Sequence, residues 1–303
     1  MNAVEIENVT KVFGKVIAVN DLSLAVPRGS VYGFIGPNGS GKTTTLRMIM
    51  SIFYPDSGRI RVLGEDGLGA CTDRIGYLPE ERSLYKNMKV REVLNFFGRL
   101  KSGRDLGKEV DRWLERLDLA DWANKKVETL SKGMSQKVQF IATVVSRPEM
   151  VILDEPFTGL DPVNADTIRS AVLELQAQGT TVIFSTHDMS TAERMCDFIF
   201  MIFKGRKVLD GTLTAIQDEY GHDTLRVSTE GGMAALKGLG GVEAVNNYGR
   251  IQELRMAKGC DSQALLAAIM SRTRVWSFEV AKPSLHDIFV RIAGPEAKDG
   301  NDA

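Results

Sequence analysis

The sequence predicts an α/β protein in which helices cover both faces of a parallel sheet, with a smaller α+β module behind it. Three observations carry that reading. Short, uniformly apolar segments at 31–35, 150–153 and 181–185 alternate with helical patterns, as strands buried on both faces do. The first of them runs straight into a glycine-rich turn and then a helix. Past about residue 221 the pattern of strands and helices starts afresh.

In chain order, 4–13, 22–26 and 31–35 read as strands, and 44–52 reads as a helix. Pro55, Asp56, Ser57 and Gly58 break that helix, and 59–63 resumes as strand. Between about 84 and 148 the apolar residues move to i, i+3, i+4 spacing over 90–100, 110–119 and 135–146, which predicts a helical insert. Strands at 150–153, 181–185 and 198–203 flank a helix at 163–178. The final module reads strand 225–229, helix 233–239, strands 242–246 and 251–256, helix 262–271 and strand 275–280. That βαββαβ order suggests a ferredoxin-like fold. The expected domains are therefore 1–220 and 221–293, with 294–303 a disordered tail rich in Gly, Asp and Lys.

Composition narrows the function. With 303 residues the chain has room for roughly two domains. Its 38 Lys+Arg against 39 Asp+Glu leave a net charge of -1, which argues against bulk attraction to nucleic acid or anionic lipid. No stretch approaches the roughly 18 apolar residues of a membrane span, and the N-terminal residues lack the basic-then-apolar pattern of a secretion signal. A cytosolic location is expected. Cys71, Cys196 and Cys260 lie far apart with no CxxC spacing and read as buried thiols.

Gly36, Pro37, Asn38, Gly39, Ser40, Gly41, Lys42 and Thr43 satisfy GxxxxGK[ST] between a predicted strand and a predicted helix. Glycines let successive N–H groups converge on phosphate oxygens. Lys42 brings an ammonium to the β- and γ-phosphates, and the Thr43 hydroxyl can ligate Mg²⁺. Phosphoryl chemistry also needs a metal-positioning carboxylate and a group that orients water. Asp154 and Glu155, ending the apolar run 150–153, stand where open α/β sheets bind ligands. Neighbours on a regular strand face opposite ways, so Asp154 is assigned to the metal and Glu155 to general base or water orientation.

With Leu130, Ser131, Lys132, Gly133 and Met134 ahead of a helix, the chain resembles the nucleotide-binding subunit of an ABC transporter. The resemblance covers residues 4 to about 220. It implies a P-loop NTPase cassette with a RecA-like core, an antiparallel β subdomain and a helical insert. In that family Ser131 and Gly133 hold the positions that reach ATP on the opposite subunit, whereas Lys132 and Met134 depart from the commonest form. Phe13 stands where the family stacks an aromatic ring on adenine, Thr44 ends the phosphate loop, and Gly159, Leu160 and Asp161 match a loop touching the partner. His187 matches the histidine that contacts the γ-phosphate. Glu80 replaces the usual glutamine near the metal. The segment 278–289, with Pro283, Ser284, Leu285, His286 and Asp287, is similar to the tail of ATPases driving drug, sodium or polysaccharide-type exporters. In that module His286 reads as a packing or capping residue.

The resemblance implies an ATPase that binds ATP and Mg²⁺ between two copies of itself. It would drive a separate membrane-spanning permease, an exporter, from the inner face of the cell membrane. A soluble ABC-type ATPase acting on nucleic acid or ribosomes is the alternative; the charge balance, the single cassette and the absence of zinc-type cysteine spacing count against it. A phosphotransferase would need an acceptor pocket that the sequence does not identify.

Overall fold

Apolar runs that must be buried on both faces dictate the centre of the molecule. The computed structural model describes residues 1–66, 72–81, 84–221, 223–257 and 259–294. Cys71 and the tail past Gly294 lie outside the described residues. The chain divides into two compact units, Met1–Thr212 and Leu213 onward.

The first unit runs β1 (Asn2–Phe13), β2 (Val16–Pro27), β3 (Val31–Ile35), α1 (Lys42–Ile49), β4 (Ser57–Val62), β5 (Glu65–Asp66) and β6 (Ile75–Leu78). There follow α2 (Val90–Ser102), α3 (Gly107–Arg116), α4 (Lys132–Val144), β7 (Met150–Asp154) and α5 (Pro162–Ala177). It closes with β8 (Thr181–Thr186), α6 (Met189–Met195), β9 (Phe198–Phe203) and β10 (Arg206–Gly211). One sheet, in order β2-β1-β4-β5, is antiparallel. The other, β10-β9-β3-β8-β7-β6, is parallel except for β10 on its edge.

Every residue of β3, β7 and β8 is buried. Alternation along β7 divides two cores, as the period of two requires. Met150 and Ile152 pack with Phe34, Leu46 and the antiparallel sheet, while Val151 and Leu153 pack with Trp113, Phe140 and Ile168 of the helices.

Some boundaries differ from the sequence reading. The helix expected over 135–146 starts earlier, because the Ser131 side chain accepts from Met134 N and caps it. The helix expected over 44–52 ends sooner, with Met50 as its C-cap and Ser51 in the left-handed region at φ 60°. Helix α6, strand β10 and the C-terminal helix of the second unit were not read from the sequence, although the last has buried Leu285 and Ile288 at helical spacing.

The second unit opens with α7 (Leu213–Tyr220), earlier than the fresh start read near 221. It continues β11 (Thr224–Thr229), α8 (Gly232–Leu236), β12 (Val242–Asn247), β13 (Gln252–Met256), α9 (Ser262–Met270), β14 (Val275–Ala281) and α10 (Leu285–Ala293). Its sheet order β12-β13-β11-β14 is antiparallel throughout. That is the order a βαββαβ chain gives in a ferredoxin-like fold, and Leu225, Val227, Leu254, Leu265 and Ile269 form its core. The cap of α10 is a box between Ser284 and Asp287. His286 is exposed rather than packed or capping.

Phe34 sits at 0% exposure in the central strand. Phe34→Ala is expected to lower the stability of the chain by about 3–5 kcal/mol, measured by urea denaturation.

Candidate functional site

The loop from Gly36 to Thr43 joins β3 to α1, and its shape is enforced by crowding. A side chain at Gly36 would collide with the Ile202 carbonyl, and a Cβ on Gly41, at φ 109°, would lie 2.5 Å from the Ala18 carbonyl. The Gly205 amide donates to the Ser40 carbonyl at 2.9 Å and the Ser40 amide to the Pro37 carbonyl at 3.2 Å. Asn38 and Gly39 form the exposed crest, with Pro37, Thr43 and Thr44 half-buried beside it. α1 begins at Lys42 with no side-chain cap on Gly41, so its first-turn amides and dipole face outward for an anion. Among the described residues the buried Ser40 Oγ finds no hydrogen-bond partner. This donor set, with its ammonium and its carboxylates alongside, fits a triphosphate.

Lys42 is buried, and its Nζ donates to the carbonyls of Gly36 at 2.7 Å and Pro37 at 3.0 Å. Burial pushes its pKa down, against the pull of Glu155, Asp154 and Glu80, which favour the charged form. Thr43 Oγ1 donates to Asp154 Oδ1 at 3.3 Å.

The two acids part company at the end of β7. Asp154, the last strand residue, is fully buried and accepts from the Ser185 hydroxyl on β8. Glu155 does not continue the strand: its backbone turns left-handed at φ 48°. The Glu155 amide donates to the same Ser185 Oγ at 3.0 Å. The two carboxylates are parted by a turn and not by strand alternation. Glu155 is 6% exposed, with Oε1 3.0 Å from His187 Nδ1 and Oε2 accepting from Thr158 Oγ1 at 2.9 Å. Thr158 and Ser185 were missed from sequence; the hydroxyl residues flanking the Asp-Glu pair and His187 were the available signal.

The structure thus brings Lys42, Thr43, Asp154, Glu155 and His187 into one cluster. Glu80 is exposed beyond the end of β6 and reaches the cluster through its field on Lys42. Among the described residues no group of three or more His, Cys, Asp or Glu is disposed to hold a metal. Thr43 and Asp154 suit a magnesium ion that takes its remaining oxygens from phosphate and water. Phe13 is 42% exposed, stands edge-on to Phe53 with ring centroids 5.3 Å apart, and carries the Lys11 ammonium over its ring at 5.4 Å from the centroid. Ser131 and Gly133 lie at the start of α4, beside the loop that opens α5. A Cβ on Gly133 would come 3.0 Å from the Asn164 amide nitrogen. Asp161 caps α5, accepting from the amides of Val163 and Asn164 at 3.1 Å. These bonds, led by the one from the Asn164 amide, hold its pKa down.

Comparison with known proteins gives two family matches: ABC transporter over residues 19–158, and the C-terminal domain of ATP-binding proteins like DrrA1-3 over residues 211–293. YhaQ, an ABC transporter ATP-binding protein of Bacillus subtilis (strain 168), is 40% identical over 291 residues, 95% of this chain and 98% of its own. The daunorubicin resistance ATP-binding protein DrrA3 of Streptomyces coeruleorubidus is 32% identical, with 98% and 97% covered. The Nod factor export ATP-binding protein I of Burkholderia lata is 34% identical, with 98% of both chains covered. Among solved structures, an ATP-binding subunit of an ABC transporter matches 72% of this chain and 93% of its own, at 28% identity and a TM-score of 0.67.

Because a Cβ at position 41 would press on backbone, Gly41→Ala should remove nucleotide retention while the second unit stays folded. Equilibrium dialysis with a labelled ATP analogue checks the first expectation and circular dichroism the second.

Proposed function

The chain belongs to the ABC transporter family as an ATP-binding and ATP-hydrolysing subunit, and from that premise we propose that two copies sandwich two ATP molecules. In this reading the amides of the loop from Gly36 to Thr44 wrap the phosphates, Lys42 contacts the β- and γ-oxygens, and Phe13 stacks on adenine. Ser131 and Gly133 of each copy reach the nucleotide held by the other. Magnesium, held by Thr43 and Asp154 with Glu80 nearby, neutralises phosphate charge when bound.

The observation that carries the hydrolytic reading is the Glu155 carboxylate, gripped at Oε1 by His187 and at Oε2 by Thr158. A base held at both oxygens keeps one direction toward water, which in-line attack on the γ-phosphate needs. His187 is 53% exposed at its side chain, so it can steady a γ-phosphate without leaving Glu155.

The output is motion handed to a separate membrane permease. No helix among the described residues is long and apolar enough to cross a membrane. A cavity of about 320 Å³ beside β6 and α2, walled by Tyr77, Leu84, Phe97 and Leu100, offers an apolar docking groove. Exposed Tyr85 and Phe96 extend its aromatic rim, their rings 5.7 Å apart. Docking there would hold the chain peripherally at the inner face of the membrane. Export is the direction favoured by the relatives named for daunorubicin resistance and Nod factor export.

Glu155→Gln should keep ATP binding, slow turnover by about 10²–10⁴-fold and accumulate a dimer with ATP on size exclusion. Near-normal hydrolysis by that variant would refute the assigned role. His187→Ala should lower kcat more than it raises KM, as read from steady-state phosphate release.

A further inference from the structure

Phe13 sits on a strand end that ordinary sheet pairing does not hold. The ladder of β1 with β4 ends at Thr10 opposite Ser57, short of the last residues Lys11 to Phe13. Against β2 the register slips between Val9 and Lys11 and again between Lys11 and Val12, and such irregularities take main-chain groups out of the ladder. The returning strand β2 nevertheless runs against the phosphate loop. A Cβ on Gly41 would lie 2.5 Å from the Ala18 carbonyl and 3.5 Å from a methyl of Val19, and Val19 is the partner of Lys11. The hairpin tip therefore borders the loop, while the aim of Phe13 is left to groups outside the sheet.

The connector between α1 and β4 supplies them. The Asp56 amide donates to the Thr10 carbonyl at 2.9 Å, which sets the Asp56 side chain beside the unladdered end of β1. There its Oδ2 accepts from the Val12 amide at 2.6 Å and its Oδ1 from Lys11 Nζ at 3.0 Å. One carboxylate thus continues the ladder where β4 stops. These bonds, led by the one from Val12, hold the Asp56 carboxyl below the usual carboxylate range. Lys11, 14% exposed at its side chain, is kept by that pairing with its ammonium 5.4 Å from the centroid of the Phe13 ring. Phe53, on the same connector, meets that ring edge-on. Arg47 of α1, the helix whose first turn faces the phosphates, lies over Phe53 at 5.8 Å from its centroid.

We propose that Asp56 is a positioning residue for the nucleotide base: by fixing the Val12 amide and the Lys11 ammonium it holds the Phe13 ring in place for stacking. The inference rests on the reading that Phe13 meets adenine. Asp56 acts through that ring, and a ring fixed in advance loses less freedom when the base arrives. In ATP the base is remote from the γ-phosphate, so its stacking is the same before and during cleavage. Loosening Phe13 therefore falls on KM and spares kcat.

Steady-state phosphate release from ATP by the full chain, with inorganic tripolyphosphate as a competitor that carries phosphates and no base, tests this. Asp56→Ala should raise KM for ATP about three- to tenfold, with kcat and the inhibition constant of tripolyphosphate at their parental values. Asp56→Asn keeps an acceptor for the Val12 amide and gives up the charge facing Lys11, so its KM should fall between the two. Phe13→Ala should raise KM at least as far as Asp56→Ala does, and adding Asp56→Ala to it should raise KM no further. The proposal is overturned if Phe13→Ala raises KM and Asp56→Ala does not, if the two effects add in full, or if Asp56→Ala weakens tripolyphosphate as much as ATP. A parental KM in Phe13→Ala would bring down the adenine reading itself, and the inference with it.

Discussion

One hydroxyl sets the geometry on which the catalytic end of the cassette depends. Ser185 accepts the amide of Glu155 and donates to the carboxylate of Asp154, so a single side chain on β8 fixes the two acids that end β7. The parallel register places Asp154 opposite Ser185, and full burial of both strands leaves that register no freedom to slip. The left-handed turn at Glu155 is disfavoured for a residue with a side chain. It persists because the amide it reorients has an acceptor waiting, and because Thr158, three residues on, closes back on the carboxylate.

What the sequence disclosed followed from spacing and periodicity. Gly36 and Gly41 are held by close backbone approach and Gly39 by a left-handed turn at φ 74°, so the glycine spacing of the motif is legible as a string. The parallel strands were legible because their middles are apolar where both faces are buried, the polar residues Asp154, Thr181, Ser185 and Thr186 standing toward strand ends. Thr158 and Ser185 were not, since each matters through a contact made by tertiary register, and an isolated hydroxyl in a strand or loop is unremarkable. Strand β10 escaped for a physical reason too. It pairs on one side only, so most of its residues are exposed or half-buried and its pattern is too polar to read. Helix α6 is short, and its start is fixed by an Asp188 cap accepting from Ser190 and Thr191 more than by any apolar stripe.

The second unit was legible as an order of elements because a βαββαβ chain has few ways to close an antiparallel sheet. Its boundary was harder. α7 carries one buried residue, Ile216, so nothing in its composition tells which core it joins. Its side chains answer instead: Gln217 donates to the Pro283 carbonyl at 3.0 Å and Lys282 pairs with Asp218 at 2.6 Å, tying α7 to the segment just ahead of α10.

The departure at Lys132 shows how a family pattern can change without breaking. A cation in the first turn of a helix opposes the macrodipole by about 0.3–1 kcal/mol at an exposed site, and α4 has no acidic residue in that turn to relieve it. The chain accommodates the side chain by laying its ammonium along Gly159, where even a Cβ would approach Nζ to 2.6 Å. Glycine at 159 and lysine at 132 therefore form a matched pair, and a bulkier residue at 159 would force the ammonium away. Gln136 strengthens the same connection, donating from α4 to the carbonyls of Pro156 at 2.9 Å and Thr158 at 3.4 Å. The start of α4, with Ser131 and Gly133, is thus mechanically joined to the loop that holds Glu155, and a displacement of α4 must be felt at the carboxylate.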